Sequence, residues 1–180
     1  MASIRFQNYI FCILLFLFGC ASKEDVASKE TAESSPAATS TATQGMLSAT
    51  INGAAWQAMP VSSKDNDAAI ASVDPKSRLV TIRGTRSSGT QPETIEITVK
   101  SLQPGTYALM PDFDHLQTAT YSIGADTAQI YFIHEKQSGE VIISQSDGER
   151  IAGTFSFDAR NTQGKDIRVS NGTFDVTIRQ

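Results

Sequence analysis

Apolar and polar residues alternate with period two along most of the chain from Met46 onward, and this dictates strands rather than helices. In Thr94–Lys100, Ile95, Ile97 and Val99 share one side, and Thr94, Glu96, Thr98 and Lys100 the other. In Ile151–Arg160, Ile151, Phe155, Phe157 and Ala159 oppose Thr154, Ser156, Asp158 and Arg160. Phe174, Val176 and Ile178 oppose Thr173, Asp175, Thr177 and Arg179. One dry and one wet face is the signature of an antiparallel sheet. Helical spacings of three and four do not recur.

Turn chemistry separates the alternating runs. Asn52-Gly53 suits a type I′ hairpin turn, Asp74-Pro75-Lys76-Ser77 a type I turn, and Pro104-Gly105 a type II turn. Ser138-Gly139, Asp147-Gly148 and Gln163-Gly164 mark three more reversals. The expected strands number about ten, near 46–51, 54–60, 67–73, 78–85, 93–100, 105–110, 129–135, 140–146, 150–160 and 165–179. The fold class is therefore all-β, an antiparallel β-sandwich or a partly open β-barrel. Ile167 and Val169 should face the core, as should Phe174, yet Val169 and Phe174 differ by an odd number. Asn171-Gly172 must reset the parity through a bulge or tight turn. Residues 111–128 show no period and are expected to form the longest irregular stretch, the leading place for loop-borne function.

The first 45 residues read differently. Arg5 precedes an unbroken apolar run, Tyr9–Phe18. As a helix it spans about 15 Å, half of a hydrocarbon core of about 30 Å, so it suits a signal peptide rather than a membrane span. Leu17-Phe18-Gly19-Cys20 resembles the lipobox of bacterial lipoproteins, with Phe18 replacing the usual small residue. The resemblance implies that residues 1–19 are a signal peptide and that Cys20 is acylated, palmitate being one expected chain. Acyl chains contribute about 0.8 kcal/mol per buried CH₂ to membrane binding. Both cysteines of the chain, Cys12 and Cys20, lie in this region, so residues 46–180 contain no thiol. Lys23-Glu24-Asp25 resembles the export signal that sends lipoproteins of the Bacteroidota to the outer face of the outer membrane. The expected address is the outer membrane, surface-exposed, with a periplasm-facing protein as the alternative. Residues 20–45 are rich in Ala, Ser, Thr, Glu and Lys with no aromatic residue, and are expected to be a disordered tether. Residues 46–180 form the single β domain.

Ile51-Asn52-Gly53-Ala54-Ala55-Trp56, Gly105-Thr106-Tyr107, Ile151–Phe157 and Val169–Phe174 together resemble an uncharacterised Bacteroidota lipoprotein family, a domain of unknown function. That family usually has Ser at the position of Ala152. The resemblance implies a compact β domain on a lipid anchor and carries over no catalytic residue.

Candidate chemistry is sparse. Asp112, Asp114 and His115 bring two carboxylates and an imidazole into four residues, a candidate divalent-metal set, although an exposed acidic loop explains them better. His134 is expected to be a partly buried or strand-end histidine with a hydrogen-bond partner. Lys64–Asp67 reads as a turn. Glu93 and Glu96 differ by an odd number and should face opposite sides of a strand. Trp56, Tyr107, Tyr121 and Tyr131 suggest a sugar-stacking platform, against which stands ordinary core packing, with Trp56 plugging one end. Asp126-Thr127-Ala128 resembles the O-glycosylation signal of Bacteroidota envelope proteins, making Thr127 a candidate site. No GxSxG or SxxK occurs, and no pattern calls for a cofactor. The net charge of −4 opposes nucleic-acid binding. The expected function is a non-enzymatic, lipid-anchored cell-envelope module, touching the membrane through its anchor and binding a protein or glycan of unknown identity. A β-barrel carrier of a small apolar ligand is the alternative, although Phe132, Phe155, Phe157, Phe174 and Trp56 argue for a filled interior. A hydrolase is the third reading and needs converging titratable groups.

Overall fold

The computed structural model describes residues 45–60, 67–111, 117–135 and 138–179. Eleven strands run in one hydrogen-bonded order, β2-β1-β11-β3-β4-β5-β7-β8-β10-β9-β6, with a further pairing of β10 to β11. They are β1 (Met46–Ile51), β2 (Ala54–Gln57), β3 (Ala69–Val73), β4 (Val80–Ser88), β5 (Gln91–Val99), β6 (Gly105–Ala108), β7 (Thr118–Ile123), β8 (Ile130–Phe132), β9 (Gly139–Ser146), β10 (Arg150–Arg160) and β11 (Asp166–Arg179).

This single sheet divides at its two shortest pairings into two parts, called here the first and second sheets: β6-β9-β10-β11-β1-β2 and β3-β4-β5-β7-β8. At one end of the β10–β11 hairpin, Arg160 pairs with Phe132 of β8. At the other, Ile178 and Arg179 of β11 pair with Ala71 and Ser72 of β3. That last pairing is parallel, the one departure from the antiparallel expectation among the described pairs. Because β10 and β11 are antiparallel, the two short pairings fall at opposite ends of the hairpin. This closure fits a sandwich or a partly open barrel, and it shelters strand edges that would otherwise invite aggregation.

The core lies between the inward faces. Phe155, Phe157, Phe174 and Val176 come from the first sheet, and Ile82, Ile95, Ile97 and Tyr131 from the second. Asn52 and Gly53 take φ of 48° and 86°, as a type I′ turn requires. Asp74 Oδ1 accepts from the Lys76 and Ser77 amides at 2.9 and 2.6 Å, closing the turn before β4. Gly105 does not occupy the expected type II turn position, where φ is about +80°; it opens β6 at φ 158°.

Two further expectations are corrected. Residues 111–128 are not irregular throughout, because β7 occupies Thr118–Ile123 and a 3₁₀ turn Thr127–Gln129. Thr118, Thr120 and Ser122 alternate there with Ala119, Tyr121 and Ile123, but small Ala and amphipathic Tyr carry a weak apolar signal. Along β8 and the residue after it the dry side is that of Tyr131 and Ile133, each 1% exposed, so Phe132 lies half-buried on the other side.

The parity break at Asn171-Gly172 is a bulge. Between Ser48 and Thr50, and between Phe155 and Phe157, one partner residue faces two on β11. Asn171 takes φ 51° and lies exposed, while Gly172 is buried. A Cβ on Gly172 would stand 2.6 Å from the Phe155 ring and the Phe155 carbonyl oxygen. Gly172→Ala should therefore destabilise the protein by about 1–3 kcal/mol, whereas Asn171→Gly should leave stability within about 1 kcal/mol of the parent. Urea unfolding midpoints check both; an unchanged midpoint for Gly172→Ala would contradict the close approach.

Candidate functional site

Two polar constellations stand out from this frame, one facing inward and one facing outward. The inward one sits on the β4–β5 hairpin, where Arg86 lies in register with Glu93. Glu93 is 8% exposed. Its Oε2 accepts from Arg86 Nε at 3.0 Å and from the Tyr121 hydroxyl at 2.8 Å. Burial, then the hydrogen bond to Glu93, pushes the Tyr121 phenol well above its ordinary range. The Arg86 guanidinium carbon lies 5.6 Å from the centre of the Trp56 ring, within cation–π range. Trp56 is 2% exposed and its indole nitrogen has no hydrogen-bond partner among the described residues.

Trp56, Tyr121 and Tyr131 are thus core residues, with the Tyr121 and Tyr131 rings 5.9 Å apart. They offer no platform to solvent. Tyr107 stands apart, its hydroxyl donating to the Gln103 carbonyl at 2.6 Å. Glu96 lies half-buried in register with Arg83, on the side of β5 opposite Glu93, as their odd spacing requires. Glu93→Gln should cost about 2 kcal/mol by leaving the Arg86 charge unbalanced beside the core, and Tyr121→Phe about 1 kcal/mol. Denaturant unfolding reads both; an unchanged midpoint for Glu93→Gln would mean that the pair is solvated in effect.

The outward constellation lies at the far end of the β10–β11 hairpin. Asp158 and Arg160 on β10 pair across to Arg168 and Asp166 on β11. Arg160 Nε and Nη2 donate to the two Asp166 carboxylate oxygens at 2.6 and 3.0 Å. Arg168 Nε and Nη2 donate to those of Asp158 at 2.8 and 3.0 Å. The four residues form a charge checkerboard of two bidentate pairs. Asn161 holds the hairpin loop that sets their register. Its Oδ1 accepts from the Gln163 and Lys165 amides at 3.1 and 2.9 Å, and its Nδ2 donates to the Ala128 carbonyl at 2.9 Å. Asn52 Oδ1 accepts from the Arg168 amide at 2.8 Å.

The checkerboard, Asn52, His134 and Glu135 line a recess of about 440 Å³. His134 is half-buried just after β8, as expected, but no hydrogen bond to its ring is found among the described residues. Both ring nitrogens are shielded and unbonded among the described residues, and Nε2 lies 3.3 Å from Glu135 Oε1. Chemically, the recess presents fixed donors and acceptors side by side. Asp166 is held by the Arg160 guanidinium, which favours its charged form and makes it a poor general acid.

Asp112, Asp114, His115 and Cys20 lie outside the described residues, as do Lys64, Asp65 and Asn66. Asp67 accepts from Arg179 Nη2 at 2.6 Å. Among the described residues no group of three or more His, Cys, Asp or Glu side chains could hold a metal ion. Thr127 is exposed at the first position of the 3₁₀ turn, and Asp126 caps that turn by accepting from the Ala128 amide at 2.9 Å. The sequence reading missed the checkerboard and Asn161. A signal was present: the repeated Asp158-Ala159-Arg160 and Asp166-Ile167-Arg168 flank a turn, and antiparallel pairing sets each Asp opposite an Arg.

Residues 43–176 match a domain of unknown function, DUF6252. The chain belongs to this family. No curated protein and no solved structure matches it.

Three carboxyls of this domain are held below their ordinary 3.8: Asp166 by the Arg160 hydrogen bond, Asp74 by the Ser77 amide, and Asp147 by the Arg150 and Glu149 amides. A carboxyl lowered on folding adds stability above its unfolded value and loses it as pH falls through the folded one. The melting temperature should therefore hold from pH 7 to about 5 and drop below about 4. Asp166→Asn should shrink the acid-side drop; a drop of unchanged size would remove Asp166 from its causes.

Proposed function

We propose that this member of DUF6252 is a lipid-anchored binding module of a bacterial cell envelope, without catalytic activity of its own. In this reading Cys20 carries the acyl chains and the segment up to residue 45 is the tether. The β domain then presents a polar surface to a protein or glycan partner. The outer membrane is the proposed site, with surface display following from Lys23-Glu24-Asp25. Thr127, exposed on its capped turn, is the proposed glycan attachment point.

The observation that carries the module reading is the outward checkerboard recess beside a filled interior. Trp56, Tyr131, Phe157 and Leu47 are among the largest side chains fully enclosed between the sheets. That filling weighs against the apolar-ligand carrier. The described clefts of about 310–460 Å³ are open at the surface. The hydrolase reading draws no strength from the recess, since its aspartates are each tied to an arginine.

Metabolic labelling with a palmitate analogue tests the anchor. The wild-type chain should take up label and sediment with membranes, and Cys20→Ser should lose both. Unlabelled wild-type chain would overturn lipidation. Protease shaving of intact cells then reads the leaflet: resistance, while a known surface lipoprotein is cut, places the domain on the periplasmic side.

A further inference from the structure

The recess does not end at the checkerboard. It shares Asp158 with a second cleft of about 430 Å³, and that cleft shares Glu140 and Ser156 with a third of about 460 Å³. Through these shared residues the three clefts follow one another along the outward side of β10, from Thr154 to Arg160, and are together called the trough. Those six residue steps cover about 20 Å of strand. At one end the trough meets the bulge at Asn171-Gly172, and at the other the shielded nitrogens of His134.

Three observations select an occupant. The first is charge. Arg160 and Arg168 stand against Glu135, Glu140, Asp158 and Asp166, an acidic excess that repels polyanions. The second is shape and backbone. From Ile151 to Phe157 β10 is paired on both sides, to β9 and to β11, so no extended peptide can add to β10 along that stretch. The large exposed apolar residues among those described, Met46, Met59 and Ile142, lie outside the trough, and the large apolar residues that line it, Ile167 and Phe155, are buried. The third is hydrogen bonding. Each bidentate pair uses two of the five guanidinium N–H donors, leaving donors beside carboxylate lone pairs. Thr154, Ser156 and Thr173 add hydroxyls that both donate and accept. A neutral, polyhydroxylated chain offers the same paired donors and acceptors without net charge.

The geometry points to this trough as a binding site for a neutral oligosaccharide, with Ser156 at its middle and Asp158 and Arg168 orienting sugar hydroxyls. The assignment rests on the binding-module reading and gives it a ligand class. It places the sugar on the polar outer face, away from the aromatic side chains buried in the core.

The test is calorimetry on the full chain in detergent micelles, with cello-, xylo-, manno-, malto- and chitohexaose, and a chondroitin sulfate hexasaccharide as the polyanion. At least one neutral hexasaccharide should bind, and the sulfated one should not. Ser156→Trp fills the trough and should weaken binding by about tenfold or more, while Ser72→Trp, on the other sheet, should leave it unchanged. If Ser156→Trp fails to fold, Asp158→Asn takes its place and should weaken binding several-fold with near-parent melting. Absence of binding by every neutral sugar at millimolar concentration would overturn the assignment. So would preference for the sulfated sugar, or affinity indifferent to the trough variants. If no sugar binds while Cys20 still takes up label, the oligosaccharide assignment falls and the lipid anchor stands.

Discussion

The pairing of β10 with β11 organises the domain, because both sheets hang from this one hairpin. Its ladder runs from Arg150 opposite Thr177 to Arg160 opposite Asp166. β9 and β1 extend it on either side into the first sheet, and β8 and β3 attach at its two ends to begin the second. A slip of one residue would reverse every inward side chain. The bulge at Asn171-Gly172 keeps Ile167 and Val169 on the same side as Phe174, Val176 and Ile178. Gly172 serves because the Phe155 ring and carbonyl occupy the space a side chain would need.

The same hairpin separates the two polar systems. Inside, one carboxylate, Glu93, is tolerated because Arg86 and Tyr121 satisfy it and because Arg86 is partly exposed. Outside, Asp158, Arg160, Asp166 and Arg168 are exposed enough that their pairing contributes little to stability. Its consequence is spatial: four charged groups are held in a fixed array over β10 and β11, with Asn161 setting the loop that joins the strands.

Much of the architecture was legible from alternation and turn chemistry. Ten of the eleven strands fall within or close to the expected spans, and the parity argument located the bulge. β7 escaped because Ala119 and Tyr121 blur the contrast between its two sides. Phe132 was assigned to the core because its bulk outweighed its register; Tyr131 and Ile133 hold the inward positions instead. The recess was harder to read. Its groups come from the β1–β2 turn, the end of β8 and the β10–β11 hairpin, and sequence distance conceals that meeting.

The sequence by itself determined the strand class, several of the turns and the parity break. These depend on local periodicity and on what single residues permit in their backbones. Only the tertiary structure decided which aromatic residues face the interior and how two sheets share one hairpin. It also decided which charged residues line a common trough. Those outcomes depend on pairings between segments far apart in the chain, such as Asn52 with Arg168, where local pattern carries no information about the partner.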